Sequence, residues 1–449
     1  MAAIAKADGN VPNTLPTPID NTTSPIHIDG SVLEGGGQIL RNAFTACCLM
    51  RRSVVVDNIR ATRPKPGLGA QHAEGLGLIT RMCRGLLHGG EQGSQRVEFT
   101  PGTLRAGLYE AKPRTAGSIA LLLQISLPCI VFAKHALGEE SVHQGGGRGT
   151  AGACQDHARG RGRCDRRQMN KIYEPGGNHG RLGDGSAHRD LGGRGLLEGT
   201  LMGMAGGVSA AAGDSKQLDL HYSDQAKEHQ VTTRLRLEGG TNAEFAPQID
   251  YVEHVLLPLL SQHMGIVVDL KVQRRGYFPK GQGVVNVCAL HKATPLNPIT
   301  LMRRGNVTEI RAYIVASKCA VGDPERAASA VARQLQLSPF ASIVLTPHIL
   351  IDDRAAGKGG GVLLVAHTDT GCILAADRLA QQGKTHLDLG DAGSDAAREL
   401  AALLVTPQDS SAVGNELPCV DDYMQDQLII FMALAVGPFL CCIFACVHF

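Results

Sequence analysis

One stretch constrains this chain more than any other. Gly145 to Thr200 holds 16 Gly and 9 Arg in 56 residues and almost no periodic apolar residues. Such a segment cannot bury enough apolar surface to offset the entropy lost on ordering. Any core must come from the two arms that flank it. Those arms suffice: the chain has 449 residues, 43% of them apolar and 19% charged, which fits two or three domains around a large core. The Gly/Arg segment is expected to be a disordered insertion, with an Arg/Gly-rich RNA-binding tail as the functional alternative. It contains a GxGxxG at Gly147, Gly149 and Gly152. No strand precedes it, so a dinucleotide loop is not expected there.

Charge and composition remove further classes. A net charge of +2 excludes a polybasic or polyacidic chain and leaves nucleic-acid contact to local patches. Aromatics are 4% with no Trp, which argues against an aromatic stacking platform for single strands. The 13 cysteines are odd in number and often sit in apolar runs (Cys47, Cys48, Cys83, Cys129), as small buried hydrophobes in a reducing compartment do. Cys154, His157 and Cys164 do not have the spacing of a common zinc module. Met1 to Pro25, with four prolines and no long apolar core, reads as a flexible tail rather than a secretory signal.

The arms read as alternating strands and helices. IHID from Ile26 and SVVVDNIR from Ser53 are strand-like, and GSVLEGGGQILR (Gly30 to Arg41) is a glycine turn feeding a helix. A second amphipathic helix is predicted over Ala70 to Leu87, and a strand at Val97 to Gly102. Thr115 to Ala133 is long and apolar enough to weigh a membrane span, but Gln124, Ser126 and Pro128 favour a buried core helix. Strand, turn and helix resume near Thr233, followed by two strands around a Gly/Pro/Lys loop. Beyond Leu296 come a strand (NVTEIRAYIVA), a helix begun by Asp323 as N-cap and Pro324, strands at VLLVAH and GCILAA, and a helix from Ala396 to Val405. The fold class is α/β, with helices packed on sheets of βαβ-type units.

Four clusters carry the chemistry. Glu34 with Gly35-Gly36-Gly37 and Arg41 forms a turn whose free N–H groups and helix start suit phosphate, or simply a tight turn. Arg60, Arg63 and Lys65 stand on a proline-stiffened loop, which suits phosphate as well as a solvated charged loop. GGTNAEFAPQIDY (Gly239 to Tyr251) is the third. DDYMQDQLIIFMALA (Asp421 to Ala435), with Tyr423, Asp426 and Gln427 on one helical turn, is the fourth; capping and helix-surface polarity would explain either of these last two without any function.

Together with TAGSIALLLQISLPC and RGYFPKGQG, these motifs occur in the order found in the RNA 3′-terminal phosphate cyclases, which the chain resembles over Ile26 to Ala133 and about Leu235 to Ala435. RPKPG, TAGS and APQIDY resemble the true cyclase branch. The resemblance implies a large domain of repeated βαβ-type units similar to the C-terminal domain of a bacterial translation initiation factor, with a small α/β domain inserted. The expected division is a tail at 1–25, a large domain at 26–295 broken by the insertion at 138–233, a small domain at 296–395, and a return to the large domain at 396–449. The implied reaction uses ATP and a divalent cation such as Mg²⁺ to turn an RNA 3′-phosphate into a 2′,3′-cyclic phosphate through histidinyl-AMP and RNA-adenylate intermediates. Carried over by motif, Gln124, Pro247, Tyr423, Asp426 and Gln427 bind ATP, Arg41, Arg60 and Arg63 contact phosphate or RNA, and Glu34 sits by the metal.

The chain also departs from the family. Gly69-Ala70 stands where relatives have an arginine, and Glu110 to Thr115 differs from their ADTxTAGS stretch. His448 falls close to the spacing of the nucleophilic histidine, but its neighbours do not match, and the C-terminal end reads as incomplete. A catalytically inactive cyclase-like factor, binding RNA or assisting ribosome assembly, is the alternative function. Nuclear or cytoplasmic placement is expected. Leu428 to Phe449 is apolar except for Gly437, Pro438 and His448; the stretch to Ala435 is expected to be a buried helix, and Phe439 to Phe449 an exposed apolar end rather than a membrane anchor.

Overall fold

The computed structural model describes residues 24–32, 35–113, 115–133, 232–320, 322–382, 387–405, 417–436 and 440–441. The chain divides into two units, Met1–Glu139 with Ser223–Phe449, and Glu140–Tyr222; all described residues belong to the first. Residues 1–23 of the tail, the Gly/Arg segment, Glu34 and His448 lie outside the described residues.

In chain order the elements are β1 (Ile26–Asp29), α1 (Gly37–Met50), β2 (Val54–Asp57), α2 (Ala70–Cys83), β3 (Leu86–His88), β4 (Val97–Thr100), β5 (Leu108–Ala111), α3 (Ile119–Phe132) and β6 (Thr232–Gly239). Then come α4 (Ile249–Tyr251), a π-helical turn (Val252–Leu256), α5 (Leu257–Met264), β7 (Val268–Arg274), β8 (Gly283–Leu290), β9 (Thr300–Leu301) and β10 (Val307–Ser317). The rest are α6 (Asp323–Gln336), β11 (Val344–Ile351), β12 (Gly359–Thr368), β13 (Ile373–Leu379), β14 (Gln381–Gln382), β15 (Leu387–Asp388), α7 (Leu389–Leu404), α8 (Asp422–Leu434) and β16 (Leu440–Cys441).

The first two sheets repeat one design. Their orders are β1-β2-β4-β3 and β5-β6-β8-β7. In each, the first two strands are parallel and joined through a helix, and the other two pairings are antiparallel. A parallel pair also joins β9 to β16, and the chain between them contains α8. A third four-stranded sheet, β11-β10-β12-β13, carries α6 and α7. The architecture is therefore mixed α/β.

The core lies between the helices and these sheets. On α1, Leu40, Phe44, Cys47 and Cys48 are buried at helical spacing, and Phe44 stacks on Phe99 of β4 with ring centroids 5.1 Å apart. Nearly every residue of α3 is buried, including Ser126 and Pro128. The Ser126 hydroxyl donates to the Leu122 carbonyl at 2.8 Å, and the Thr45 hydroxyl of α1 donates to the Ile125 carbonyl at 2.8 Å, so α3 is a core helix. Among the described residues no helix is long and apolar enough to cross a membrane.

Some elements differ from the sequence reading. The second helix stops at Cys83 rather than Leu87, because Arg84 turns left-handed and the Gly85 N–H closes on the Thr80 carbonyl at 3.0 Å. Leu86 and Leu87 belong to β3 instead. Helix α6 is capped by Gly322, with Asp323 inside its first turn; the Asp323 carboxylate accepts the Ala320 N–H at 3.0 Å, tying down the preceding loop. Helix α7 starts at Leu389, seven residues before Ala396, because Asp388 accepts the Asp391 N–H and caps it there.

Candidate active site

Helices α1, α3 and α8 meet at Gln38. Its Oε1 accepts from Arg41 Nη2 at 2.8 Å and from Gln124 Nε2 at 3.3 Å, and its Nε2 donates to the Asp426 carbonyl at 3.0 Å. One side chain of α1 thus fixes residues from three motifs far apart in sequence. Arg41 also feels the Asp426 carboxylate; burial holds its guanidinium down at about 10, so it stays charged at neutral pH. Two buried atoms here have no partner among the described residues, Arg41 Nε and Gln124 Oε1. A buried donor beside a buried acceptor, both unmet, suits a ligand with phosphate at one end and a hydrogen-bonding base at the other.

Across the turn stands the arginine loop. Arg60 adopts a left-handed backbone, φ 52, and its Nη1 donates to the Gly67 carbonyl at 3.1 Å. The Gly69 N–H donates to His72 Nδ1 at 3.1 Å, so the proton of the neutral ring sits on Nε2, facing Gly37. Burial first, then Arg41 and Arg60, lower His72 to about 4. At Gly37 a β-carbon would lie 2.4 Å from His72 Nε2 and 2.9 Å from Arg41 Nη1, so only glycine keeps both groups in place. Arg63 Nη2 lies 3.9 Å from the position of a β-carbon on Gly36. Gln71, Arg41 and His72 line a small pocket floored by Leu122 and Ile125 of α3. Three arginines and a neutral histidine donor gather around a glycine turn at a helix start, a composition that suits an anion.

The second half of the site is built on α8 and the Gly239–Tyr251 segment. Asp421 caps α8, accepting the Met424 N–H at 2.9 Å, the Ala375 N–H at 2.9 Å and the Tyr251 hydroxyl at 2.6 Å. Complete burial still raises its carboxyl to about 6. Tyr423 meets the Tyr251 ring edge-on, centroids 5.4 Å apart. Burial, then Asp377 and Glu399, push the Tyr423 hydroxyl up, so it remains a neutral donor. Pro247 is buried in the turn before α4, and Gln427 is buried with its amide 3.4 Å from the Tyr423 carbonyl.

Of the residues expected from sequence, Arg41, Gln124 and Asp426 are joined through Gln38, and Arg60 shares the His72 loop. Tyr423 and Gln427 share the first turns of α8. Pro247 has no side-chain polar atom with which to join either group. Glu34 and His448 lie outside the described residues. The sequence reading passed over Gln38, His72, Tyr251 and Asp421. Gln38 lies three residues before Arg41, a spacing that places both side chains on one helix face, and His72 stands three residues after the Gly69 cap, where its ring accepts the Gly69 N–H.

One group among the described residues has the composition of a cation site: Asp250, Glu253 and His254, whose ligand atoms lie within 4.8 Å of one another. It does not fit a divalent ion. Both Asp250 oxygens are taken by Arg275, at 2.6 and 2.7 Å, and that guanidinium already supplies the positive charge.

With this geometry in view, the comparisons with known proteins are specific. The family model for RNA 3′-terminal phosphate cyclase matches residues 32–147 and 225–442. The RNA 3′-terminal phosphate cyclase of Drosophila melanogaster is 31% identical over 92% of this chain and 84% of its own length. The probable RNA 3′-terminal phosphate cyclase of Dictyostelium discoideum is 29% identical over 91% of this chain and 70% of its own. The RNA 3′-terminal phosphate cyclase of the archaeon Desulfurococcus amylolyticus is 27% identical over 92% and 86%. Matches spread along both arms, and not to one motif, mean that the chain belongs to the RNA 3′-terminal phosphate cyclase family.

Proposed function

We propose that this protein converts the 3′-phosphate end of RNA to a 2′,3′-cyclic phosphate at the expense of ATP. The observation that carries this is the meeting of Arg41, Arg60, His72 and the glycine turn with the unmet Arg41 Nε and Gln124 Oε1, in a chain of this family. Tyr423, Pro247, Gln124 and Gln427 would hold the adenosine, and Asp426 would set Arg41 on the phosphates with Arg60 and Arg63.

The reaction divides one hard displacement into three easier ones. A histidine nitrogen, assigned to His448, attacks the α-phosphorus of ATP; an N–P bond forms and pyrophosphate leaves. An oxygen of the RNA 3′-phosphate then attacks that phosphorus, the N–P bond breaks, and AMP is carried on the RNA end. Last, the 2′-hydroxyl attacks the 3′-phosphorus, losing its proton, and AMP departs as the ring closes. Each step moves negative charge onto phosphate oxygens, which the arginines and the His72 Nε2 proton stabilise. A divalent cation such as Mg²⁺, beside Glu34, would neutralise further charge on the ATP phosphates.

The fold reading extends the same way. The parallel β9–β16 pair, with α8 between them, supports a third copy of the βαβ-type unit into which the α/β segment from β10 to α7 is inserted. The Leu296–Ala435 bridge, where the chain leaves and returns, supports it too. We also propose a nuclear or cytoplasmic site of action.

Incubation with α-labelled ATP and Mg²⁺ should leave acid-labile label on the protein, absent from His448→Ala, and a 3′-phosphate RNA should become resistant to phosphatase. A pure, folded protein that takes no label and leaves the RNA end unchanged would favour the inactive RNA-binding alternative.

A further inference from the structure

Two phenylalanines stand in open solvent beside this site. Phe245 is 99% exposed and Phe278 77%. Phe245 also holds a left-handed backbone, φ 59, a conformation disfavoured for a bulky side chain, and no burial of its ring offsets that.

The loops that carry them are closed by hydrogen bonds and joined at the base. Asn242 Nδ2 donates to Gln248 Oε1 at 2.7 Å, and the Ile249 N–H to the Thr241 carbonyl at 2.8 Å, closing the loop whose tip is Phe245. The Gly281 N–H donates to the Tyr277 carbonyl at 2.8 Å, closing the turn that carries Phe278 and Lys280. Between the loops, the Thr241 N–H donates to the Gly276 carbonyl at 2.8 Å, and Asn242 bridges Tyr277. Tyr277 is anchored in turn through its hydroxyl, 3.0 Å from Ser317 Oγ. Gly281 presses on Ala116, where a β-carbon would come within 2.8 Å of Ala116 Cα. Two residues on, the Ser118 N–H donates to Gln71 Oε1, which lines the anion pocket. The rings therefore stand on one flank of the proposed active site, with Arg274 and Lys280 exposed at the loop of Phe278, Lys112 paired with Glu238 at 2.7 Å, and Glu244 exposed beside Phe245 as an opposing charge.

We propose that Phe245 and Phe278 form a two-ring stacking platform for the unpaired nucleotides just upstream of the RNA 3′-phosphate. This rests on the cyclase reading and names how its substrate is held. Single-stranded bases stack on aromatic rings whatever their sequence, and neighbouring cations follow the backbone. Two rings suffice for two bases, so the low aromatic content of the chain is no obstacle.

The test is equilibrium binding, by fluorescence anisotropy, of a 5′-labelled single-stranded RNA of about ten nucleotides ending in a 3′-phosphate or a 3′-hydroxyl. With Phe245→Ala and Phe278→Ala combined, both RNAs should bind roughly ten- to a hundredfold more weakly. ATP affinity and melting temperature should be unchanged, and the Phe245→Trp/Phe278→Trp variant should restore binding. Unchanged RNA affinity in the double alanine variant overturns the platform, as does an equal loss of ATP affinity or a change in oligomeric state in place of RNA binding. A wild-type protein that does not prefer the 3′-phosphate end speaks against the cyclase reading; loss of binding to both RNAs on alanine substitution still supports the platform.

Discussion

Gly37 shows how much function one missing methyl group carries. A β-carbon there would collide with His72 Nε2 and crowd Arg41 Nη1, both mobile side-chain ends. Alanine is also no worse a helix residue than glycine at this first position of α1. Gly37→Ala should therefore keep or slightly raise the melting temperature while cutting adenylation roughly tenfold or more by displacing two phosphate-facing groups; an active variant with wild-type ATP affinity would remove His72 and Arg41 from the site. His72 makes the second prediction. Its ring is held at about 4 against an ordinary 6.5, so the unfolded chain takes up the proton first as the solution is acidified. The stability it contributes is whole above pH 6.5 and is lost as pH falls from 6.5 towards 4. Asp377 and Asp421, raised to about 6 by burial, act the other way, losing stability as pH rises through the same window. His72→Gln should flatten the acid-side fall in melting temperature, and parallel curves for the two proteins would refute the assignment. Arg41, Arg60 and Arg63 were legible from sequence because cations beside glycine and proline stand out. His72 and Gln38 were not, since their roles come from partners brought in by folding.

At the scale of elements, Asp421 ties three together. It caps α8, holds the Ala375 N–H of β13 and receives the Tyr251 hydroxyl of α4. Asp421→Ala removes the cap and strands two buried donors, which should cost about 3 kcal/mol in urea unfolding, against about 1 kcal/mol for Tyr251→Phe. Equal, small effects would mean that water reaches this junction. Helices whose apolar positions recur cleanly, α1 and α6, were readable from the chain. The end of α2 was not, because a left-handed Arg84 leaves no mark that Leu86 and Leu87 do not hide. The start of α7 was masked by Gly390 and Gly393. Strand β11 was missed because Pro347 breaks its pattern and most of it is exposed; proline is tolerated on this edge, where only β10 pairs with it.

Across the molecule, the repetition of strand order in the first two sheets leaves one junction with unusual weight. Arg275, in the loop after β7, grips Asp250 of α4 through two hydrogen bonds while both are buried. Its carbonyl accepts the Ala356 N–H at 3.1 Å, and its own N–H reaches Asp352 at 3.4 Å, so the second sheet is bound to the β11–β12 loop of the third. This link was not legible in sequence, where the two residues stand 25 apart in separate motifs and nothing in either pairs them. Burying two charges costs most of what their attraction returns, so the pair adds little net stability while intact, yet removing one partner leaves the other charged and dry. Arg275→Ala should therefore cost about 3–5 kcal/mol. Combining Arg275→Met with Asp250→Leu should bring the protein back to within about 1–2 kcal/mol of wild type, because no unpaired charge remains. Urea midpoints of the wild type, both single variants and the double variant measure this directly. If Arg275→Ala unfolds at the wild-type midpoint, or if the double variant is as weak as the sum of the singles, the junction is held by packing alone and not by this ion pair.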